Sequence, residues 1–139
     1  MYERILVGTD GSEAANRAIA HALEQAERHD ATLHGIFVVD TSRYDEPALS
    51  SEELVTDDIE DVGREYLEAI EQRARDLDIE FVRRSCHGRP HEEIISYADD
   101  IDADLIVLGY QGQSHTQTDT IGSVTERVVR SGVRPTFVA

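Results

Sequence analysis

The chain contains no lysine: all 13 of its basic side chains are arginine, set against 29 aspartates and glutamates, for a formal net charge of −16 over 139 residues. Without lysine there is no Walker-type P-loop, whose lysine neutralises phosphate charge. A phosphoryl-accepting receiver domain is excluded on the same ground, because that fold relies on a lysine near its phosphorylated aspartate. The acidic excess generates a field that repels polyanions, which argues against nucleic acid and anionic membrane surfaces as partners. So many carboxylates without lysine suit a salt-loaded cytoplasm, where the screening length shrinks to a few ångströms. The acidity then reads as a surface adapted to salt, a halophilic signature, and not as a site.

Cysteine is nearly absent too. Cys86 stands alone, so it has no partner for an internal disulfide or a thiolate-rich metal site and is expected as a half-buried strand residue. No apolar run approaches the ~20 residues that cross a bilayer. Met1-Tyr2-Glu3-Arg4 leads straight into a strand-like segment rather than a signal sequence. These features predict a cytoplasmic protein, and the length together with 40% hydrophobic content predicts one domain over residues 1–139 with one continuous core.

What is present alternates between two periods. Ile5-Leu6-Val7 reads as a strand ending in the turn Gly8-Thr9-Asp10-Gly11-Ser12, with Ser12 as a helix cap. Apolar residues from Ala15 to Ala26 then recur at three- and four-residue intervals, which predicts a helix over Glu13 to Arg28. A second strand runs from Leu33 to Val39, and Thr41 to Ser51 reads as a loop. A long helix from about Glu52 to Leu77 follows, with Ile59, Val62, Tyr66, Ile70, Ala74 and Leu77 inward. Ile79 to Cys86 predicts a third strand, Pro90 opens a helix carrying Ile94, Ile95 and Ala98, and Leu105-Ile106-Val107-Leu108 is a fully apolar strand. A last helix from about Ser123, with Val124, Val128 and Val129 inward, stops near Gly132, and Pro135 to Ala139 closes the order as a short strand. Strands alternating with helices predict an α/β fold: a parallel sheet covered on both faces.

The segment that bears chemistry is Gly109-Tyr110-Gln111-Gly112, then nine residues, then Gly122-Ser123-Val124, a G-x2-G-x9-G-[ST] pattern. Gly109 and Gly112 are expected to leave a ligand-facing surface clear of side chains. Gly122 and Ser123 fall at a helix start, where unpaired N–H groups and the helix dipole favour phosphate oxygens.

These residues, together with Ile5 to Ser12, Val38-Val39-Asp40 and Gly122 to Val128, resemble in order the ATP-binding branch of the universal stress protein family over essentially the whole chain. The resemblance implies an open, Rossmann-like five-stranded parallel sheet of order 3-2-1-4-5 that binds ATP, with magnesium, at its topological switch point. It implies that Thr9, Asp10 and Val38 line the adenine and ribose side, that Gly109, Gln111 and Gly112 lie beside sugar and phosphates, and that Gly122, Ser123 and Val124 hold the phosphates. It also implies a role in stress response and a homodimer, which the terminal edge strand, with its unpaired backbone groups, equally invites. Gln113 stands where many family members carry a basic residue, and Asp119 adds negative charge to the same loop. A bound magnesium would offset part of that charge.

No nucleophile and base pair stands out in the sequence, so slow hydrolysis of bound ATP is the most turnover this set supports. The glycine-rich dinucleotide fingerprint is missing after the first strand. His34, His87, His91 and His115 lack metal-site spacing and read as structural or solvated. The acidic run Glu52, Glu53, Asp57, Asp58, Glu60 and Asp61 reads as a solvated helix face without the turn glycine of a calcium loop. The rival reading is a dimeric interaction module of the same fold that binds no nucleotide, its glycines serving only as turns.

Overall fold

A computed structural model of the chain describes residues 1–41, 49–112 and 121–139, with the side chains of 49–57 excepted. In chain order the elements are β1 (Arg4–Gly8), α1 (Glu13–His29), β2 (Thr32–Asp40), α2 (Leu49–Asp76), β3 (Phe81–Gly88), α3 (Pro90–Ile101), β4 (Leu105–Leu108), α4 (Ser123–Ser131) and β5 (Thr136–Val138). The strands form one parallel sheet of order β3-β2-β1-β4-β5, as the resemblance implies.

Period-two alternation in the central strands divides the core in two. Ile5, Val7, Leu105 and Val107 face α1 and α2, where they meet Ala18, Leu23, Leu67 and Ile70. Leu6, Ile106 and Leu108 face the other way, onto Ile94, Ala98 and Val128 of α3 and α4. Each such fully buried side chain contributes about 1.5–3 kcal/mol, and only a sheet covered on both faces buries both sets. Among the described residues no helix is long and apolar enough to cross a membrane.

Three helices end alike. Asp30, Asp78 and Asp102 take left-handed backbone angles, with φ of 52°, 56° and 54°, and the next N–H in each case donates back to the preceding helix: Ala31 to Ala26, Ile79 to Ala74, Ala103 to Ala98, at 2.8–2.9 Å. Ala31, Ile79 and Ala103 are buried by this reversal. It explains why β3 begins at Phe81 and not at Ile79: Ile79 belongs to the closure of α2.

Two apolar stripes differ from expectation. On α2 the face toward the sheet is Gly63, Leu67, Ile70 and Ala74, while Val62 and Leu77 are exposed. A Cβ on Gly63 would stand 2.2 Å from the Phe37 ring, so its missing side chain lets α2 approach β2 and turns Val62 aside. On α4 it is Thr125 and Val128 that are buried. Val129 points outward, at 44% exposure, because the helix is short and its buried face is one residue wide per turn.

Cys86 is free and half-buried in β3. Burial, and then the nearby Glu93, push its thiol up from the usual range, which favours the protonated thiol over the thiolate.

Candidate functional site

The carboxyl ends of β1 and β4 adjoin, with Val7 paired to Val107, and the chain leaves them on opposite sides of the sheet. Such a divergence opens a crevice. The turn after β1 is fixed locally. The Thr9 N–H donates to the Ile36 carbonyl at 3.1 Å, the Gly11 N–H to Thr9 Oγ1 at 3.2 Å, and the Ser12 N–H to Asp10 Oδ1 at 3.0 Å. Ser12 Oγ accepts from the Ala15 N–H at 3.1 Å and so caps α1. Gly11 has φ of 78°, and a Cβ there would lie 2.2 Å from the Tyr66 ring.

Across the crevice, residues after β4 are tied to both neighbours. The Thr125 hydroxyl donates to the Gly109 carbonyl at 2.7 Å, the Gly122 N–H to the Tyr110 carbonyl at 2.8 Å, and the Tyr110 N–H to the Ala139 carbonyl at 2.6 Å. The Ser12 hydroxyl donates to the Gln111 carbonyl at 3.4 Å and joins the two turns. Gly122 is the N-cap of α4 and provides no side-chain hydrogen bond to it. Ser123, Val124 and Thr125, which carry the first N–H groups of the helix and the positive end of its dipole, line the crevice.

The result is one cavity of about 430 Å³. Thr9, Asp10, Val38, Gly109, Gln111, Gly112, Gly122, Ser123 and Val124, the residues singled out in the sequence, all line it. Gln113, Asp119 and His115 lie outside the described residues.

The glycines have reasons the sequence did not reveal. A Cβ on Gly109 would stand 2.5–2.8 Å from backbone atoms of Ala14 and Ala15, so the empty space is filled by the start of α1 and not held for a ligand. A Cβ on Gly112 would lie 2.6 Å from Asp10 Oδ2. Gly122, with φ of −64° and ψ of 148°, has a backbone open to any residue, and its nearest would-be contact is Gln111 Cα at 3.2 Å.

Sequence reasoning missed the wall supplied by α2. Asp58, Ile59, Val62 and Tyr66 line the cavity, as does Asp40. In the sequence Asp58 reads as part of a solvated helix face. It is exposed yet stands at the mouth. The signal was the spacing of Ile59, Val62 and Tyr66, one helical face that could have been read as facing a ligand. Glu60 and Asp61 pair instead with His87 and Arg64.

The described histidines do not gather at the cavity. His34 is buried, its Nδ1 3.0 Å from the Tyr97 hydroxyl. Burial, then the Arg4 charge, lower its pKa, with Glu80 opposing. His91 approaches Glu92 at 3.9 Å. No group of three or more His, Cys, Asp or Glu among the described residues is arranged to hold a metal ion.

Comparison with known proteins gives a consistent picture. The sequence pattern of the Universal stress protein family matches residues 1–139. Universal stress protein MJ0531 of Methanocaldococcus jannaschii is 33% identical over 139 residues, which covers 99% of this chain and 82% of that one. Among solved structures, the universal stress protein UspA from Lactobacillus plantarum superposes with a TM-score of 0.82 at 32% identity, covering 99% and 97% of the two chains. A universal stress protein solved in complex with cAMP does so with a TM-score of 0.75 at 26% identity, covering 99% and 97%.

Proposed function

This chain belongs to the universal stress protein family, and on that premise we propose that it binds an adenine nucleotide, ATP with magnesium, in the crevice between β1 and β4 and serves as a nucleotide-dependent regulator in the cytoplasmic stress response. The observation that carries the reading is the convergence on one cavity of the nine residues that the family resemblance implies for the nucleotide site. The cavity has the parts a nucleotide needs. Val38, Ile59, Val62 and Ile94 offer an apolar wall for a base, and the N-terminus of α4 offers N–H donors for phosphate. The relative solved with cAMP supports the same ligand class.

Magnesium fits only as a companion of the phosphates, since the described residues provide no group of three ligands for it. When bound, it would offset phosphate charge near Asp10, while Thr9, Gly122 and Ser123 orient the nucleotide through backbone and hydroxyl groups. The role is binding, with slow hydrolysis as the most turnover these residues support.

We propose also that residues 1–139 act as one domain and pair into a homodimer. β5 is an edge strand of three residues, and Phe137 within it is 43% exposed, an apolar edge that a second copy would cover.

Replacing Gly122 by Val tests the nucleotide reading. Branched carbons would enter the space between Gln111 and the α4 N-terminus, where phosphate is expected. Titration calorimetry with ATP and magnesium at high potassium chloride, with circular dichroism to confirm folding, should show binding in the wild type and its loss in Gly122→Val. Absence of binding by folded wild type would leave the interaction-module reading in its place.

A further inference from the structure

The buried face of α4 carries one polar side chain. Thr125, 6% exposed, shares that face with Val128, and valine would fill its place with the same shape, so the hydroxyl there requires a partner. A threonine in a helix commonly sends its proton one turn back along its own helix. On that turn the Gly122 carbonyl takes the Glu126 N–H at 2.9 Å, and the Thr125 hydroxyl crosses to the Gly109 carbonyl at 2.7 Å.

The direction of that carbonyl follows from the peptide that bears it. The Tyr110 N–H points to the Ala139 carbonyl at 2.6 Å. In a planar trans peptide the Gly109 carbonyl of the same unit points the opposite way, away from β5. The ladder with β1 has ended at Val107, and Gly109 and Thr125 both line the cavity. The next carbonyl along, that of Tyr110, accepts from the Gly122 N–H at 2.8 Å. Two consecutive carbonyls beyond β4 thus hold the N-cap and the first turn of α4.

Resting on the nucleotide reading above, we infer that Thr125 is a positioning residue for phosphate: its hydroxyl fixes the first turn of α4 against the end of β4 and occupies an acceptor that would otherwise repel the anion. A carbonyl oxygen is the negative end of a peptide dipole of about 3.5 D. Deprived of its proton beside a phosphate, it opposes binding, and a helix start released from β4 no longer presents its N–H groups at a fixed distance from the sugar. Both effects act at the phosphate end. A nucleoside without phosphate feels neither in full.

The test compares ATP, titrated with magnesium chloride, and adenosine, which carries the same base and ribose but no phosphate. Each is titrated calorimetrically into the wild-type chain, Thr125→Val and Thr125→Ser at one high potassium chloride concentration, with circular dichroism to confirm folding. Thr125→Val keeps the shape and removes the hydroxyl, so ATP affinity should fall about tenfold while adenosine affinity changes less than about threefold. Thr125→Ser keeps the hydroxyl and should restore the ratio of the two affinities to within about twofold of the wild type. Should Thr125→Val not fold, Thr125→Ala against Thr125→Ser makes the same comparison on a smaller side chain. An unchanged ratio in a folded variant without the hydroxyl would overturn the inference and leave Thr125 a packing residue only, as would a serine variant that restores nothing. Folded wild type that binds neither ligand would overturn the nucleotide reading, and this inference with it.

Discussion

The Asp10 carboxylate and Gly112 occupy adjoining space, so close that a Cβ on the glycine would stand 2.6 Å from Oδ2. The other carboxylate oxygen is held by the Ser12 N–H at 3.0 Å, which orients the side chain across the crevice from the first turn to the second. Gly112→Ala must displace that carboxylate or the loop that bears it. Affinity for ATP should fall about tenfold, equivalent to about 1.4 kcal/mol, while the far-ultraviolet dichroism stays unchanged. Calorimetry on the alanine variant measures it.

Gly109 and Gly122 belong to one sequence pattern but should separate stability from binding. At Gly109 the new methyl would strike backbone atoms of α1 at 2.5–2.8 Å, which a helix start cannot yield without shifting. Gly109→Ala should cost about 1–3 kcal/mol or more in urea unfolding. Gly122→Ala has an ordinary backbone conformation and a closest contact of 3.2 Å, so its unfolding midpoint should move much less. Equal losses in the two variants would contradict the packing described for α1.

Acid should weaken the fold through His34. Its folded pKa lies below the ordinary histidine value of 6.5, so between those two values the unfolded chain binds the proton and the folded chain does not. The stability this residue contributes is fully present above pH 6.5 and is lost as pH falls through the folded pKa. His34→Gln, which keeps a polar partner for the Tyr97 hydroxyl but does not titrate, should flatten the dependence of unfolding free energy on pH below 6.5. Chemical denaturation of both proteins across that range decides it.

The fold was legible because the central strands are simple. Ile5 to Val7 and Leu105 to Leu108 are uninterrupted apolar runs, and the alanine stripe of α1 matches its buried face from Ala15 to Ala26. The glycine pattern located the crevice, since strand ends and helix starts are marked by local residues. What the sequence hid was set by contacts distant along the chain. Nothing near Gly109 announces that Ala14 will fill its place, and nothing near Gly63 announces Phe37. Asp58 looked like surface because a helix at the mouth of a cavity has the same alternation of charge as one facing water.

Dimerisation through β5 should depend on Phe137, which is 43% exposed and also lies against His21 with ring centroids 5.0 Å apart. Phe137→Arg adds charge to that edge and leaves intact the hydrogen bond from Tyr110 to Ala139, which truncating the strand would remove. Size-exclusion chromatography with light scattering should give a dimer for the wild type and a monomer for the variant. A dimer in both would place the interface elsewhere.

Hydrogen–deuterium exchange followed by mass spectrometry, with and without ATP and magnesium at high potassium chloride, tests the nucleotide site most directly. The N–H groups of Ser123, Val124 and Thr125, uncapped by any side chain from Gly122, should exchange more slowly with nucleotide, as should the turn from Thr9 to Ser12, while the edge strand β3 is unaffected. Unchanged exchange at both segments under saturating nucleotide, or protection confined to other elements, would contradict the site proposed here.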